Sequence, residues 1–329
     1  MNLGIVGCGV IGQRRALNLG SAHLIHCCDV DLPRAHQVAA LSRGCRVGTD
    51  WRELVESADV DAVVVATPPD CQTEIASAAI RASKHVLLEK PAARHVSELQ
   101  HLPRLAAAND VLVRVGFNHR YHRAFQKART LVDSGVLGPL LFLRARYGHG
   151  GRVGYDSEWR AQPRRSGGGE LIDQGIHLID LARWFLGDFA EVSGFAHTYF
   201  WDMPVDDNAF LLLKTQTKQV AFLHASCTEW KNTFSWELYG RDGKLQIDGL
   251  GGSYGVERLS WYRMLPAMGP PETTIWEYPM ADSSWATEMA EFMEDIRARR
   301  QPAAGLGDAL AALAVVAKIY RDCGYDHSA

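Results

Sequence analysis

Short apolar runs alternate with helical stretches through the first part of this chain. The runs at residues 3–6, 24–29, 62–67, 86–88 and 112–117 are rich in β-branched residues and predict five buried strands. Strands that alternate with helices are typical of βαβ units, which form a parallel sheet. Ligands of such sheets bind beyond the carboxyl ends of the strands. We therefore expect Gly7, Asp29, Thr67, Glu89 to Pro91 and Asn118 to line one crevice.

After residue 120 the pattern changes from alternating units to successive strands. A helix at 121–134 is followed by strands at 140–147, 209–213, 220–225, 235–240 and 244–248, with Asp242-Gly243 as a hairpin turn. One apolar helix at 170–186, ended by a left-handed cap at Gly187, interrupts them, and helices at 285–300 and 307–322 close the chain. The pattern predicts an α/β protein with domains at 1–120 and 121–329. The second domain should be mainly a β-sheet.

Composition supports two folded domains and excludes several classes of partner. The 329 residues are 47% hydrophobic and 22% charged, as in ordinary globular proteins. A net charge of -3 offers no basic field for nucleic acid. The apolar stretch at 303–320 is interrupted by Asp308 and Lys318, so we predict no membrane span. Seven scattered cysteines form no paired motif and favour a reducing, cytoplasmic location.

A glycine motif directly after the first strand indicates a dinucleotide site. Gly7, Gly9 and Gly12, with Val10 and Ile11 between them, have the spacing that permits a tight turn, backbone approach to a pyrophosphate and close helix packing. Asp29 ends the second strand, where a ribose-binding carboxylate belongs. We predict a Rossmann domain that binds NAD, with Thr67, Pro68, Glu89, Lys90 and Asn118 completing the cofactor site. NADP stays open because Arg34 could accommodate a 2′-phosphate, and Asp29 could instead be a solvated turn residue.

Two further motifs carry candidate chemistry. Glu89-Lys90-Pro91 follows a buried strand, and a cis Lys90-Pro91 bond would turn the lysine into the crevice. Asp173 and His177 are four residues apart, on one face of the predicted helix. Gly175 inside that helix costs about 1 kcal/mol relative to alanine, which indicates a packing or ligand-approach requirement. Taken alone, His177 could also be a core histidine.

In combination these motifs resemble the Gfo/Idh/MocA oxidoreductase family, named for glucose-fructose oxidoreductase and inositol dehydrogenase. The resemblance rests on the glycine motif, Glu89-Lys90-Pro91, Gly116-Phe117-Asn118-His119-Arg120 and the segment from Gly167 to His177. It implies a Rossmann domain and a second α/β domain with a large open, mainly antiparallel sheet. It also implies that Lys90, Asp173 and His177 are the catalytic residues and that the chain forms a homodimer or homotetramer through that sheet. Gln72 stands where the family often has a histidine, which puts one cofactor contact in doubt.

The resulting expectation is an NAD(P)-dependent dehydrogenase or reductase that transfers a hydride to or from a sugar or polyol carbon. His177 would act as general base, Lys90 would stabilise charge on the same oxygen, and Asp173 would orient the imidazole or a substrate hydroxyl. Substrate contacts are expected from Arg120, Tyr155, Trp159 and Arg160, and Arg152, Arg164 and Arg165 suggest an anionic sugar. His119, His122 and His149 lack a completing ligand, so no metal is expected. An NAD-dependent lyase or glycosidase with transient redox, and a non-catalytic NAD(P)-binding regulator, remain alternatives.

Overall fold

The computed structural model describes residues 1–325, which divide into two compact units. The first unit comprises Met1–Phe117 and Trp285–Leu310, and the second comprises Asn118–Ser284 and the chain from Ala311 onward. The first unit therefore ends at Phe117 rather than at the expected residue 120. It also contains residues 285–310, which the sequence pattern alone placed in the second domain.

A six-stranded parallel sheet forms the centre of the first unit. Its strands are β1 (Asn2–Val6), β2 (His23–Cys28), β3 (Arg46–Gly48), β4 (Ala62–Val65), β5 (His85–Leu88) and β6 (Val113–Val115). Their order is β3-β2-β1-β4-β5-β6, the order of a Rossmann dinucleotide-binding sheet. The five predicted strands are confirmed, and the three-residue β3 was too short for its pattern to be recognised.

Helices connect these strands and cover the sheet. They are α1 (Val10–Ala16), α2 (Leu32–Ala39), α3 (Trp51–Glu56), α4 (Pro69–Arg81), α5 (Val96–Leu99) and α6 (Leu102–Ala108). Asp31 and Asp50 begin α2 and α3 by accepting hydrogen bonds from the first-turn N–H groups of Arg34 and Arg52. The helix α10 (Ser284–Ala298) adds Met289 and Phe292 to the core against the sheet. The returning segment is thus part of this unit's hydrophobic core.

The second unit is built on an eight-stranded sheet. Its strands are β7 (Leu140–Gly148), β8 (Phe189–His197), β9 (Asn208–Thr215), β10 (Val220–Ser226), β11 (Thr233–Gly240), β12 (Lys244–Asp248), β13 (Glu257–Arg263) and β14 (Glu272–Tyr278). The order is β14-β13-β12-β11-β7-β10-β9-β8, and every neighbouring pair except β7 and β10 is antiparallel. The predicted mainly antiparallel sheet is confirmed, whereas β8, β13 and β14 were not predicted.

Helices of the second unit are α7 (Arg123–Asp133), α8 (Pro163–Ser166) and α9 (Ile176–Leu186), and α11 (Leu306–Asp322) extends from the first unit into the second. The helix predicted at 170–186 is α-helical only from Ile176, because Leu171–Gly175 form a π-helical turn. Gly187 ends α9 with a positive φ of 84°, although its ψ of -167° is not left-handed helical. Within residues 1–325 no helix is long and apolar enough to cross a membrane.

Candidate active site

The glycine turn between β1 and α1 fits a dinucleotide. Gly7 has a φ of +92°, and a Cβ there would lie 2.6 Å from the Ala66 carbonyl. A Cβ on Gly12 would lie 1.9 Å from the Gly7 carbonyl oxygen, so α1 can approach the strand only with glycine at this position. A Cβ on Gly9 would meet nothing within 4 Å. The backbone at Gly9 is therefore open to a ligand, as the motif requires.

Asp29 lies at the end of β2 and is hydrogen-bonded to the same turn. Its Oδ2 accepts from the Cys8 N–H at 2.6 Å, and its Oδ1 accepts from the Asp31 N–H at 2.9 Å. Each carboxylate oxygen has a second lone pair, so these bonds leave acceptor capacity for ribose hydroxyls. Asp29 thus holds the glycine turn as well as standing where the predicted ribose contact belongs.

The loop after β4 offers a further polar group. Gln72, which is buried in α4, donates from Nε2 to the Thr67 carbonyl at 2.9 Å. The Thr67 hydroxyl is buried and has no hydrogen-bond partner among the described residues. Because a buried hydroxyl without a partner costs free energy, a ligand group at this loop would satisfy it. Gln72 thus fixes the loop through this bond.

The Glu89-Lys90-Pro91 motif follows β5, and the Lys90-Pro91 bond is cis as predicted. Glu89 is buried and accepts from the Arg15 Nε at 2.6 Å, and Arg15 also donates to Glu288 at 2.6 Å. Burial raises the pKa of Glu288, despite the opposing effect of the Arg15 charge. This buried ion cluster was not predicted from the sequence. It links Glu89, the residue before Lys90, to Arg15 on α1 and Glu288 on α10.

In the second unit, the π-helical turn and α9 carry the other two predicted catalytic residues. Asp173 is half-buried and accepts from the Arg160 Nε at 3.0 Å, and the Asp173 carboxylate raises the pKa of Arg160. His177 is buried and stacks on His119, with ring centroids 3.7 Å apart. A Cβ on Gly175 would lie 3.2 Å from Leu171 and 3.4 Å from Ala225, which accounts for glycine at that position. Lys90 belongs to the first unit.

The glycine run before the turn is held by one buried carboxylate. Asp206 accepts from the N–H groups of Gly169 and Leu171 and from the Tyr320 hydroxyl, at 3.0, 2.8 and 2.6 Å. Burial raises the pKa of Asp206 to about 6, although the hydrogen bonds favour its charged form. A second acid, Glu170, lies 3.0 Å from the His149 Nε2. Burial acts to lower the pKa of His149, but the hydrogen bond to Glu170 and its charge outweigh burial and raise it.

The predicted substrate-binding residues divide into two groups. Tyr155 is buried, with its ring 5.5 Å from that of His149, and the Arg160 guanidinium lies 4.5 Å from the Trp159 ring. Arg120 differs, because its buried guanidinium donates through Nε and a terminal nitrogen to both oxygens of Asp180 on α9. Asn118 donates to the Ser284 hydroxyl at 3.0 Å. The substrate contact of Arg120 and the cofactor contact of Asn118 stay predictions.

Comparison with protein families identifies the origin of both units. Residues 1–117 match the oxidoreductase family with an NAD-binding Rossmann fold, and residues 125–246 match the GFO/IDH/MocA C-terminal domain. The chain belongs to the Gfo/Idh/MocA family. Its N-terminal unit is an NAD-binding Rossmann domain, which agrees with the open backbone at Gly9 and the buried Thr67 hydroxyl.

Members of the Gfo/Idh/MocA family with assigned names are similar over part of this chain. Levoglucosan dehydrogenase of Pseudarthrobacter phenanthrenivorans is 29% identical over 218 residues, which are 62% of this chain and 56% of that protein. Inositol 2-dehydrogenase 2 of Saccharopolyspora erythraea is 34% identical over 226 residues, 66% of this chain and 63% of that protein. The aligned segments thus cover less than two thirds of either relative.

Solved structures of Gfo/Idh/MocA type match the fold along nearly the full chain. Levoglucosan dehydrogenase in complex with NADH has a TM-score of 0.89 at 21% identity, covering 98% of this chain and 97% of that one. An oxidoreductase domain protein from Kribbella flavida has a TM-score of 0.87 at 26% identity, covering 98% and 96%. The two-part architecture is therefore that of the family.

Candidate metal ligands do not cluster in the described part of the chain. Residues 1–325 contain no group of three or more His, Cys, Asp or Glu side chains that could hold a metal ion. Of the three histidines considered for this role, His149 pairs with Glu170 and His122 with Glu257. His119 stacks on His177, an arrangement for which the sequence offered no signal beyond its position in a family motif.

Proposed function

We propose that this chain is an NAD-dependent dehydrogenase or reductase that acts on a carbinol or carbonyl carbon of an uncharged sugar or polyol. The observation that carries the proposal is the buried His177 on α9, one turn after Asp173, in a chain whose other unit is an NAD-binding domain. A buried imidazole one helical turn from a carboxylate can take a proton from a substrate hydroxyl. Hydride transfer from a carbinol requires such a base.

The residues expected to hold the cofactor are the backbone from Gly7 to Gly12, Asp29, the loop at Thr67 and Pro68, the segment at Glu89 and Lys90, and Asn118. When bound, the nicotinamide supplies the hydride acceptor or donor. His177 would remove the hydroxyl proton during oxidation and return it during reduction. Lys90 would donate a hydrogen bond to the substrate oxygen and stabilise its developing negative charge. Asp173, oriented by Arg160, would accept a hydrogen bond from a neighbouring substrate hydroxyl.

Ion pairs in the segment before α9 favour an uncharged substrate over the anionic sugar suggested by its arginines. Arg152 donates to Glu158 at 2.6 Å, and Arg160 donates to Asp173. Two of the arginines are thus already paired with carboxylates. The relatives differ on this point. Levoglucosan dehydrogenase was solved with levoglucosan and with L-sorbose, both uncharged, whereas the dTDP-3,4-didehydro-2,6-dideoxy-alpha-D-glucose 3-reductase of Saccharopolyspora spinosa, 28% identical over 75% of this chain, is named for a nucleotide-linked sugar.

A substrate panel read by NADH absorbance tests this proposal. It should include uncharged hexoses, anhydrosugars and inositols, together with uronates and nucleotide-linked hexoses. We expect the highest kcat/KM with an uncharged compound, and replacing Arg152, Arg164 and Arg165 together by glutamine should change it less than about 3-fold. The alternative of an anionic sugar would be favoured if the best substrate is anionic and the triple variant raises its KM about 10-fold or more.

Variants of the proposed catalytic residues test the mechanism. Lys90→Ala and His177→Asn should each lower kcat by about 10²-fold or more while NAD still binds, because each removes proton transfer or charge stabilisation. The exposed Lys231 and His36 supply matched controls, Lys231→Ala and His36→Asn, which should keep wild-type turnover. Near-wild-type activity of both catalytic variants would contradict the proposal. Turnover without net NADH would instead favour the lyase, and NAD binding without turnover of any compound would favour the regulator.

The exposed face of the large sheet supports self-association. Phe195, Leu212 and Phe222 on β8, β9 and β10 are 64%, 51% and 46% exposed, and Leu212 pairs in register with Phe222. A contiguous apolar patch of this kind is typical of a protein interface. We propose a homodimer or homotetramer through this face. Leu212→Glu with Phe222→Glu should yield a smaller species in light scattering, whereas Leu41→Glu, at an exposed position of the first unit, should not.

A further inference from the structure

A second histidine lies directly against the proposed general base. His119 belongs to a short 3₁₀ turn, Asn118–Tyr121, that follows β6. Its ring is stacked on that of His177, with centroids 3.7 Å apart and planes inclined by 14°. The two residues are only 5% and 4% exposed. The contact is therefore a fixed part of the core beneath α9 rather than a chance surface encounter.

Aromatic rings hold His119 from its other sides. The ring of Tyr147 on β7 lies edge-on at 5.2 Å, that of Phe234 on β11 at 6.4 Å, and that of His122 at 5.6 Å. The His119 ring is thus confined by three neighbours and by His177. Such confinement fixes the orientation of the stacked pair.

His122, whose ring lies edge-on to that of His119, has two carboxylates close to it. Its Nδ1 lies 2.9 Å from a Glu257 carboxylate oxygen and 3.8 Å from one of Asp282. Other titratable or charged side chains on the elements packed here include Arg120, which pairs with Asp180, and Asp173, which pairs with Arg160. Tyr147 contacts Tyr254, Glu170 lies beside His149, and Cys227 follows β10. Two imidazolium rings stacked at 3.7 Å would repel each other strongly, so a positive charge on His177 favours the neutral form of His119.

We propose that His119 is a positioning residue for His177, and that its neutral ring stabilises the imidazolium that His177 becomes when it takes the substrate proton. The proposal rests on the general-base role proposed for His177. Ring N–H bonds point outward in the ring plane, so two stacked rings cannot pass a proton directly between them. What His119 supplies is the electron-rich face of an aromatic ring, which attracts a cation above it. The face also holds the His177 imidazole in one orientation.

The test compares three replacements of His119 in the full chain. His119→Phe keeps an aromatic face, His119→Leu fills much of the same space without one, and His119→Ala removes the ring. In the oxidation direction His177 must be neutral, so kcat/KM falls as the pH drops and His177 takes up a proton. Without the aromatic face the imidazolium is less stable. The fall of kcat/KM at low pH, here called the acidic limb of the pH profile, should then move to lower pH.

We expect His119→Leu and His119→Ala to shift that limb downward by about 0.5–1 pH unit. Both should lower the plateau kcat by about 10-fold, with KM changed less than about 3-fold, because orientation of the base affects the transition state rather than substrate binding. His119→Phe should restore the limb and most of kcat. NAD titration and thermal unfolding of each variant show whether it is folded, and His119→Leu keeps the test available if the alanine variant is not.

An unchanged acidic limb in folded His119→Leu would overturn the proposal, as would a His119→Phe variant that behaves like His119→Leu. The second result would mean that a ring nitrogen matters and not the aromatic face. His177→Asn separates these failures from failure of the proposed function. If His177→Asn is active, the general-base role itself is wrong. If it is inactive while His119→Leu is unaltered, only the stacking role fails.

Discussion

Asp29 has two tasks in this structure, and replacing it should separate them. Its carboxylate accepts the Cys8 N–H at 2.6 Å and the Asp31 N–H at 2.9 Å, and it stands at the end of β2, where the adenosine ribose is expected. Asp29→Ala removes both bonds and the negative charge. Asp29→Asn also removes the charge but keeps one acceptor oxygen, so it can retain one of the two bonds. An effect shared by both variants reports on the charge, and the additional effect of Asp29→Ala reports on the turn.

The expected magnitudes follow from these contacts. A hydrogen bond to a charged group contributes about 1.5–3 kcal/mol, so losing the bond that holds the glycine turn should weaken NAD binding by about 10- to 100-fold in Asp29→Ala. A carboxylate and a phosphate of about two charges, about 5 Å apart, repel by about 1.7 kcal/mol in the dielectric of water. Removing that repulsion should narrow the preference for NAD over NADP by about 20-fold in both variants.

The assay is kcat/KM for NAD and NADP at one fixed substrate concentration, with Kd for NAD from fluorescence titration. Asp31→Ala, which removes the side-chain cap of the exposed start of α2 but leaves Asp29 in place, is the matched control. It should keep the cofactor ratio of the wild type. A wild-type preference for NADP, or a cofactor ratio unchanged in Asp29→Asn, would refute the reasoning.

Three further predictions concern the framework of the site. Arg15→Met leaves Glu89 and Glu288 buried without a cation and should lower the free energy of unfolding, measured by urea titration, by about 3–5 kcal/mol. The loss should be smaller at pH 5 than at pH 8, because protonation removes the buried negative charge. The control Arg14→Met, on the exposed side of α1, should change the free energy of unfolding by less than about 1 kcal/mol. Burial raises the pKa of Asp206 from 3.8 to about 6, so the unfolded state loses this proton at a lower pH than the folded state does. The free energy of unfolding should therefore fall by about 3 kcal/mol as the pH rises from about 4 to 6. Asp206→Asn should flatten that part of the profile, and an unaltered slope would contradict the assignment. Gly12→Ala should weaken NAD binding at least about 10-fold, because its Cβ would lie 1.9 Å from the Gly7 carbonyl oxygen, while Gly307→Ala, whose Cβ meets nothing within 4 Å, should bind NAD normally.

Sequence patterns correctly predicted the features that depend on residues adjacent in the chain. The glycine turn needs residues only from Gly7 to Gly12, and the strands of the first sheet are continuous apolar runs because both faces are covered. The strands missed in the second sheet lack this signal. β14 lies at the sheet edge and is largely exposed, and β8 presents alternate residues to an open face, so neither shows a continuous apolar run.

Contacts between distant segments were not predictable from spacing. Arg15, Glu89 and Glu288 come from three separate stretches of the chain, and each looks like an ordinary surface charge in the sequence. The contact between His119 and His177 was likewise not predictable, because they are 58 positions apart and meet only where the 3₁₀ turn packs beneath α9. The π-helical turn is a further case, since it places an extra residue within a helix whose apolar pattern is otherwise regular.

The acids near the start of α9 bear on the substrate through their partners. Glu170 is paired with His149, Asp173 with Arg160, and Asp206 with two backbone N–H groups and the Tyr320 hydroxyl. Burial raises the pKa of Asp206 to about 6, so near neutral pH its carboxyl group is largely ionised and these hydrogen bonds stabilise the charge. These partners all belong to the second unit. A charged substrate group here would have to displace one of these partners and leave a buried acid without it, which costs free energy. Hydroxyl groups can instead share the remaining lone pairs of Asp173 without breaking its bond to Arg160. The arrangement therefore favours a polyhydroxylated, uncharged substrate.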